Sequence, residues 1–305
     1  MSPLKVFVCG ATGTQGGALI DNLVGHGTEI HAITRNIKSE IAQKIQSQGV
    51  ALTEGDFDNE ESLKKSMTGC TTLFLNLQPN HTNLTVEPEQ AQRVLSVAKE
   101  SGVEHVIYSS VLGATNIERI PHCDPNGLVG KILLSKEAIE KQVRQAGFKQ
   151  WTIARPGNFM SNYLNPLVRM YQGLVETGTF TTALSRETVI HMVDPNDIGK
   201  LAAAAAKDPV KFDRKEIEIM SEMMRVEEVM RDLSAATGKD LKANFLSEKE
   251  LKEQIPRNPL LGAQMAMRDM PQLVRPEQVK CWEIELGTFA QFLEREKVRV
   301  EETYL

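Results

Sequence analysis

Short apolar runs alternate with longer amphipathic ones through the first half of the chain. Leu4–Cys9 has the length and character of a strand, and Thr14–Gly25 follows with Ala18, Leu19, Leu23 and Val24 on one helical face. Glu29–Thr34 predicts a second strand, Ser39–Gln48 a helix with Ile41 and Ile45 one turn apart, and Val50–Glu54 a third strand. Asp58, with Glu61 three residues on, reads as an N-cap and its capping-box partner for a helix ending at Met67. Thr71–Leu77 predicts a fourth strand, Pro88–Ser101 a helix closed by Gly102, and His105–Ser110 a fifth strand. Ile132–Gln145 is a helix closed by Gly147, and Gln150–Ala154 a sixth strand before Pro156. Strands alternating with helices build a parallel sheet with right-handed crossovers, so the expected class is α/β, doubly wound.

Beyond Arg155 the rhythm changes. Pro156–Glu187 mixes Gly, Asn, Thr and aromatics around one helical run, Asn165–Val175. Val189–Val193 and Glu216–Met220 are strand candidates, Asp197–Lys207 a helix that Asp197 can cap, and Val226–Thr237 a helix ended by Gly238. Ser247–Met270 is helical but broken by Pro256 and Pro259, and Thr288–Glu296 is a last helix before a charged tail. These features predict a first domain over 1–155 and a smaller mixed lobe over 156–305, with the strands near 189–193 and 216–220 able to return to the main sheet.

The chain has 305 residues, which bounds it at about two domains. A hydrophobic content of 41% excludes disorder for the bulk of it. The net charge of −5 offers no basic stripe for nucleic acid. Cys9, Cys70, Cys123 and Cys281 are scattered, without metal-ligand or disulfide-framework spacing, so no metal site is expected and a reducing compartment is. The N-terminus enters a strand at once without a secretory pattern, and no run of about 18 apolar residues suggests a membrane span. The expected location is the cytosol or the nucleus.

Chemistry concentrates at the first strand–helix junction, Gly10–Gly17 (GATGTQGG). Glycine tolerates the sharp turn, its missing side chain lets a diphosphate approach the main chain, and the first-turn amides of the helix then face the anion. Gly10, Thr12, Gly13, Thr14, Gln15 and Gly16 are therefore the expected cradle of a dinucleotide, in G-x-x-G-x-x-G spacing. At the end of the second strand stands Arg35 rather than an acid, followed by Lys38. A guanidinium there pairs with a 2′-phosphate, which favours NADP(H) over NAD(H). Asp56 and Phe57 after the third strand, and Asn76 and Leu77 at the end of the fourth, lie where ligands gather in such sheets.

These residues resemble the atypical and extended short-chain dehydrogenase/reductases, above all the NmrA-like family, with isoflavone-reductase-like enzymes as neighbours. The resemblance rests on Gly10–Gly17, Thr34–Asn36, Gly55-Asp56, His105–Ser110, Ala154–Met160 and His191–Ile198. It implies a Rossmann domain with a smaller, mainly C-terminal substrate or effector lobe. Typical members carry Tyr-x-x-x-Lys on the helix after strand five. Lys136 stands at the family lysine position, with Ile132 where the tyrosine belongs. Isoflavone-reductase-like enzymes resemble this arrangement, which implies Lys136 as the catalytic residue and as a ligand of the nicotinamide ribose. NmrA-like regulators imply instead a catalytically silent sensor of NADP(H) state that controls a partner protein.

Asn158 is a further cofactor candidate, and His81, Phe159 and Met160 are candidates for contact with a small-molecule substrate. Exposure for His81 and core packing for Phe159 and Met160 are the competing readings. Tyr108, Tyr163 and Tyr171 can offer a proton or pack. The methionines of the C-terminal part, from Met220 to Met270, read first as core filling. The leading expectation is an NADP(H)-dependent oxidoreductase moving hydride to or from a carbonyl- or enone-type carbon.

Overall fold

The computed structural model describes residues 3–80, 82–115, 117–269 and 281–305. His81 and Met270 lie outside the described residues. In chain order the first elements are β1 (Lys5–Val8), α1 (Thr14–Leu23), β2 (Glu29–Thr34), α2 (Glu40–Ser47), β3 (Ala51–Glu54), α3 (Glu60–Met67), β4 (Thr72–Leu75), α4 (Val86–Glu100), β5 (His105–Ser109), α5 (Leu128–Gln145) and β6 (Gln150–Pro156). Then come β7 (Asn158–Phe159), α6 (Leu174–Thr177), β8 (Thr179–Thr182), β9 (Val189–Val193), α7 (Pro195–Lys207), β10 (Lys215–Ile219), β11 (Glu222–Arg225), α8 (Val226–Thr237) and β12 (Lys242–Phe245). The helices α9 (Glu248–Gln254), α10 (Pro259–Asp269), α11 (Phe289–Arg295) and α12 (Lys297–Tyr304) follow.

The chain divides into two compact units. The first comprises residues 1–114, 132–155 and 195–217; the second comprises 115–131, 156–194 and 218–305. The first unit is built on a seven-stranded sheet of order β10-β6-β5-β4-β1-β2-β3. The pairs β1/β2, β1/β4, β2/β3, β4/β5 and β5/β6 are parallel. All four residues of β4 and all five of β5 are buried, as expected of strands covered on both faces. Leu73, Leu75, Val106 and Tyr108 of these strands share one core with Leu63, Val94, Leu95, Ile139 and Val143 of α3, α4 and α5. Burial of each such large side chain stabilises the fold by roughly 1.5–3 kcal/mol.

In the second unit β9 pairs antiparallel with β11 and parallel with β7, while β12 pairs parallel with β8. Its core holds an aromatic cluster, in which the centre of the Tyr163 ring lies 5.2 Å from that of Tyr171 and 5.7 Å from that of Phe289. The Tyr304 hydroxyl donates to the Tyr163 carbonyl at 2.8 Å, which fixes α12 in place.

Several local expectations are corrected. Asn59, not Asp58, caps α3: its Oδ1 accepts from the Ser62 amide at 3.0 Å, while Asp58 pairs with Arg93. Helix α7 starts at Pro195, whose fixed φ suits the first helical position, so Asp197 is inside the first turn beside Lys200. The run Asn165–Val175 is not one helix but a 3₁₀ turn, Leu167–Met170, and the start of α6, separated by Tyr171–Gly173. The charged tail is helical because Val300, Thr303 and Tyr304 bury one side of α12. Of the two strands able to rejoin the main sheet, the one near 216–220 does so as β10 beside β6, whereas Val189–Val193 stays in the smaller sheet.

Candidate functional site

The strand order reverses between β1 and β4, and the carboxyl ends of those strands flank the crevice where open α/β sheets take ligands. Gly10 leaves β1 at φ +65°, in the left-handed region. A Cβ on Gly10 would lie 3.0 Å from Asn76 Nδ2, so the loop after β1 and the end of β4 touch. A Cβ on Gly16 would lie 2.2 Å from the Gly10 carbonyl oxygen and 2.8 Å from the Ala11 nitrogen. The turn is closed by the Gly13 amide donating to the Gly10 carbonyl at 2.9 Å. Helix α1 opens at Gly13 with no side-chain cap and no acidic residue in its first turn. The first turn of the helix thus brings no anion of its own to the positive end.

Gln15 links three elements around this turn. Its Nε2 donates to Asn76 Oδ1 at 3.1 Å, and its Oε1 accepts from Ser109 Oγ of β5 at 2.5 Å. Thr12 is half-buried and Thr14 exposed, and neither side chain has a hydrogen bond with the described residues. Beneath the turn, burial pushes the Cys9 thiol up to about 12, so it is an inert packing group.

The ends of β2 and β3 adjoin, the Gly55 amide donating to the Thr34 carbonyl at 3.0 Å. Arg35 is exposed and makes no hydrogen bond or ion pair with the described residues. Lys38 is exposed as well, in a turn where its amide donates to Asn36 Oδ1 at 3.0 Å. Asp56 is exposed, and its Oδ1 accepts from the Asp58 amide at 2.9 Å; Phe57 is half-buried against the core.

Lys136 is not a solvated helix lysine. It is 7% exposed, and its Nζ donates to Glu87 Oε1 at 2.5 Å and to the Leu77 carbonyl at 3.2 Å. Glu87, on the first turn of α4 and 1% exposed, also accepts from Ser135 Oγ at 3.3 Å. The Lys136 Nζ lies 5.9 Å from the centre of the Tyr108 ring. The Tyr108 hydroxyl is buried without a hydrogen-bond partner of good geometry, since the adjacent Ser110 hydroxyl donates to Glu140 at 2.7 Å. Burial, reinforced by Glu87 and Glu140, pushes the Tyr108 pKa well above its ordinary value. Tyr108 therefore holds its proton firmly.

One turn beyond Lys136, Glu140 receives Arg155 through two hydrogen bonds, 2.9 Å from Nε and 2.7 Å from Nη2. Burial works against the Arg155 charge, but hydrogen bonds and charge from Glu140 and Glu216 outweigh it and raise its pKa.

Asn158, Phe159 and Met160 belong to the second unit. Asn158 Oδ1 accepts from Asn162 Nδ2 at 3.1 Å, Phe159 is half-buried, and Met160 is wholly buried in the core with Tyr163 and Leu164. Tyr163 and Tyr171 are packed in that core too, and burial raises the pKa of both. His191, on β9, is buried, and burial lowers its pKa. Sequence reasoning missed Glu87. An acid in the first turn of a helix reads as a complement to the helix dipole, and nothing local marks it as buried.

Among the described residues no cluster of His, Cys, Asp or Glu is arranged to hold a metal ion, and no helix is long and apolar enough to cross a membrane.

A mostly parallel sheet in this order, with a glycine turn at its switch point, defines a Rossmann-type α/β protein. The profile of the NmrA-like family matches residues 3–286, and the chain belongs to that family. A curated relative is the NmrA-like family domain-containing oxidoreductase himF of Aspergillus japonicus, 24% identical over 260 residues, covering 79% of this chain and 75% of the relative. Among solved structures, the Citrobacter sp. triphenylmethane reductase complexed with NADP(H) aligns with a TM-score of 0.71 and 21% identity, over 96% of this chain and 99% of that one. NmrA, a negative transcriptional regulator in complex with NADP, aligns with a TM-score of 0.74 and 18% identity, over 99% of this chain and 97% of its own.

Proposed function

We propose that this chain binds NADP(H) at the β1–α1 turn and acts as an oxidoreductase on a small organic substrate with a carbonyl- or enone-type carbon. The observation that carries the reading is the turn itself. Backbone occupies the space a Gly16 side chain would need, and the helix behind it has neither a side-chain cap nor an acid in its first turn. Such a terminus fits a diphosphate. The bound nicotinamide would supply hydride at its C4.

The chain's own residues have distinct tasks. Gly10, Gly13 and Gly16 admit the diphosphate to the main chain, and Thr12, Thr14 and Gln15 border it. Arg35, exposed and unpaired among the described residues, takes the 2′-phosphate, with Lys38 adding charge. Asp56 and Phe57 flank the adenine side, and Asn76 and Leu77 the nicotinamide side. Lys136 holds the ribose and assists proton transfer directly or through water, in the absence of a tyrosine at position 132. Met160, wholly buried with Tyr163 and Leu164, packs the core of the second unit and is not a substrate contact. The oxidoreductase relatives and the NADP(H)-bound reductase neighbour support this assignment.

Calorimetric titration with NADPH and NADH tests the cofactor reading. Arg35→Ala is expected to weaken NADPH binding about tenfold or more and leave NADH nearly unchanged. An unchanged preference removes Arg35 from the 2′-phosphate. NADPH absorbance followed against quinones, enones and aromatic ketones then tests turnover. Tight cofactor binding with silence across that panel favours the sensor reading, which the missing tyrosine and the likeness to the NmrA regulator support.

A further inference from the structure

Lys136 raises a physical question that its proposed role leaves open: why a flexible, strongly hydrated ammonium stays indoors. A lysine stem has four carbons and ordinarily carries its charge to water. Here the ammonium is 7% exposed, and a carboxylate from another helix, 1% exposed, meets it at 2.5 Å. Glu87 comes from α4 and Lys136 from α5, 49 residues apart in sequence.

We propose that Glu87 is the positioning residue of Lys136, holding its ammonium against the carboxyl end of β4 with one N–H left over for the cofactor. The donor count supports this. An ammonium has three N–H groups. One goes to Glu87 Oε1 and one to the Leu77 carbonyl, at 2.5 and 3.2 Å, which leaves one. Leu77 lies just past β4, on the side where Asn76 meets the Gly10 turn, so the remaining donor belongs to the region that the cofactor reading assigns to the ribose. Glu87 is itself fixed, with Ser135 Oγ donating to its second oxygen and its place on the first turn of a 15-residue helix favouring a negative charge. Tyr108 of β5 also faces the ammonium, its ring centre 5.9 Å away, without a hydrogen bond to Lys136. Glu87 is thus the group that keeps the charge buried and aimed, because a buried ammonium without a paired carboxylate is costly.

The inference rests on the cofactor reading above, and the experiment separates the two. NADPH affinity is measured by calorimetry for the wild type, Glu87→Gln, Glu87→Asp, Lys136→Met and the Glu87→Gln/Lys136→Met double variant. Glu87→Gln preserves shape but removes the charge, and about tenfold weaker binding is expected. Glu87→Asp restores most of that loss, which a purely steric role would not predict. Lys136→Met weakens binding by a similar factor, and the double variant is no weaker than Lys136→Met alone, because Glu87 acts only through the lysine. Glu87→Gln binding like the wild type, or losses that multiply in the double variant, overturns the proposal and leaves the cofactor reading standing. A wild type that binds no NADPH overturns both. Where Glu87→Gln fails to fold, the comparison of Lys136→Met with the double variant decides, since that variant buries no unpaired charge.

Discussion

At the scale of single residues, the candidate site is defined by atoms that are missing. Gly10 and Gly16, six positions apart along the same turn and helix, behave quite differently from Gly17, which adjoins one of them. A Cβ on Gly16 would meet the Gly10 carbonyl oxygen at 2.2 Å and its carbon at 2.6 Å, both backbone atoms of a closed turn. Neither can give way without opening the turn. A Cβ on Gly17 would find nothing nearer than the Ala11 carbonyl oxygen at 3.8 Å. Gly16→Ala is therefore expected to cost about 1–3 kcal/mol in stability and more than about tenfold in NADPH affinity. Gly17→Ala, within α1, should be neutral or stabilise by up to about 1 kcal/mol. Urea denaturation and calorimetry on the two variants check the contrast. Equal behaviour would mean that the turn relaxes and that close approach is not its design.

At the scale of elements, α5 is anchored by charges rather than by apolar contact alone. Glu140 accepts from Ser110 at 2.7 Å, from Arg144 at 2.7 Å and from Arg155 at 2.9 and 2.7 Å, while Glu216 of β10 accepts from Arg144 and Arg155. Burial opposes ionisation of Glu216, yet Arg155 and Arg144 outweigh it and lower its pKa. Removing Glu140 leaves the buried Arg155 with only Glu216, so Glu140→Ala should destabilise by about 3 kcal/mol, and Glu140→Gln by less. Urea midpoints close to the wild type in both would show that the network contributes no net stability. Six strands and the helices between them were legible in the sequence because each carries its own period. The glycine turn was legible for the same reason, its spacing being local. The networks were not, since Glu87 and Lys136, or Glu140 and Glu216, meet only through the fold. Near misses have similar causes. Asp58 and Asn59 are both able caps, and the choice falls to Asn59 because Arg93, brought by α4, takes Asp58. Strands β8, β11 and β12 read TFTT, EMMR and KANF, with at most two apolar residues each, so no apolar run marks them.

For the molecule as a whole, stability should fall on mild acidification, and His105 is the main reason. It lies on β5, 2% exposed, with Nε2 3.2 Å from Thr152 Oγ1. Thr152 gives its own proton to the Phe212 carbonyl at 2.9 Å, so the imidazole must donate through Nε2 and keep Nδ1 unprotonated. That Nδ1 is buried with no partner, and a proton placed there would be a charge in the core. Burial accordingly lowers the His105 pKa from 6.5 to about 4, against a smaller opposing effect of Asp213. The unfolded chain thus binds a proton below about pH 6.5 that the folded chain refuses until about pH 4, so stability falls as pH drops through that window. At 1.36 kcal/mol per pKa unit, His105 accounts for a loss of about 2 kcal/mol between pH 7.5 and pH 5. His191, whose pKa burial also lowers, acts with the same sign. Glu216, held below its ordinary 4.5, adds a further loss only at lower pH. Urea unfolding at pH 7.5 and pH 5 should show the drop, and His105→Gln, which keeps a donor for Thr152 without a titrating group, should remove about 2 kcal/mol of it. If that variant retained the full pH dependence, the buried imidazole of His105 would not be what makes the fold acid-sensitive, and His191, buried in the second unit, would be the next group to replace.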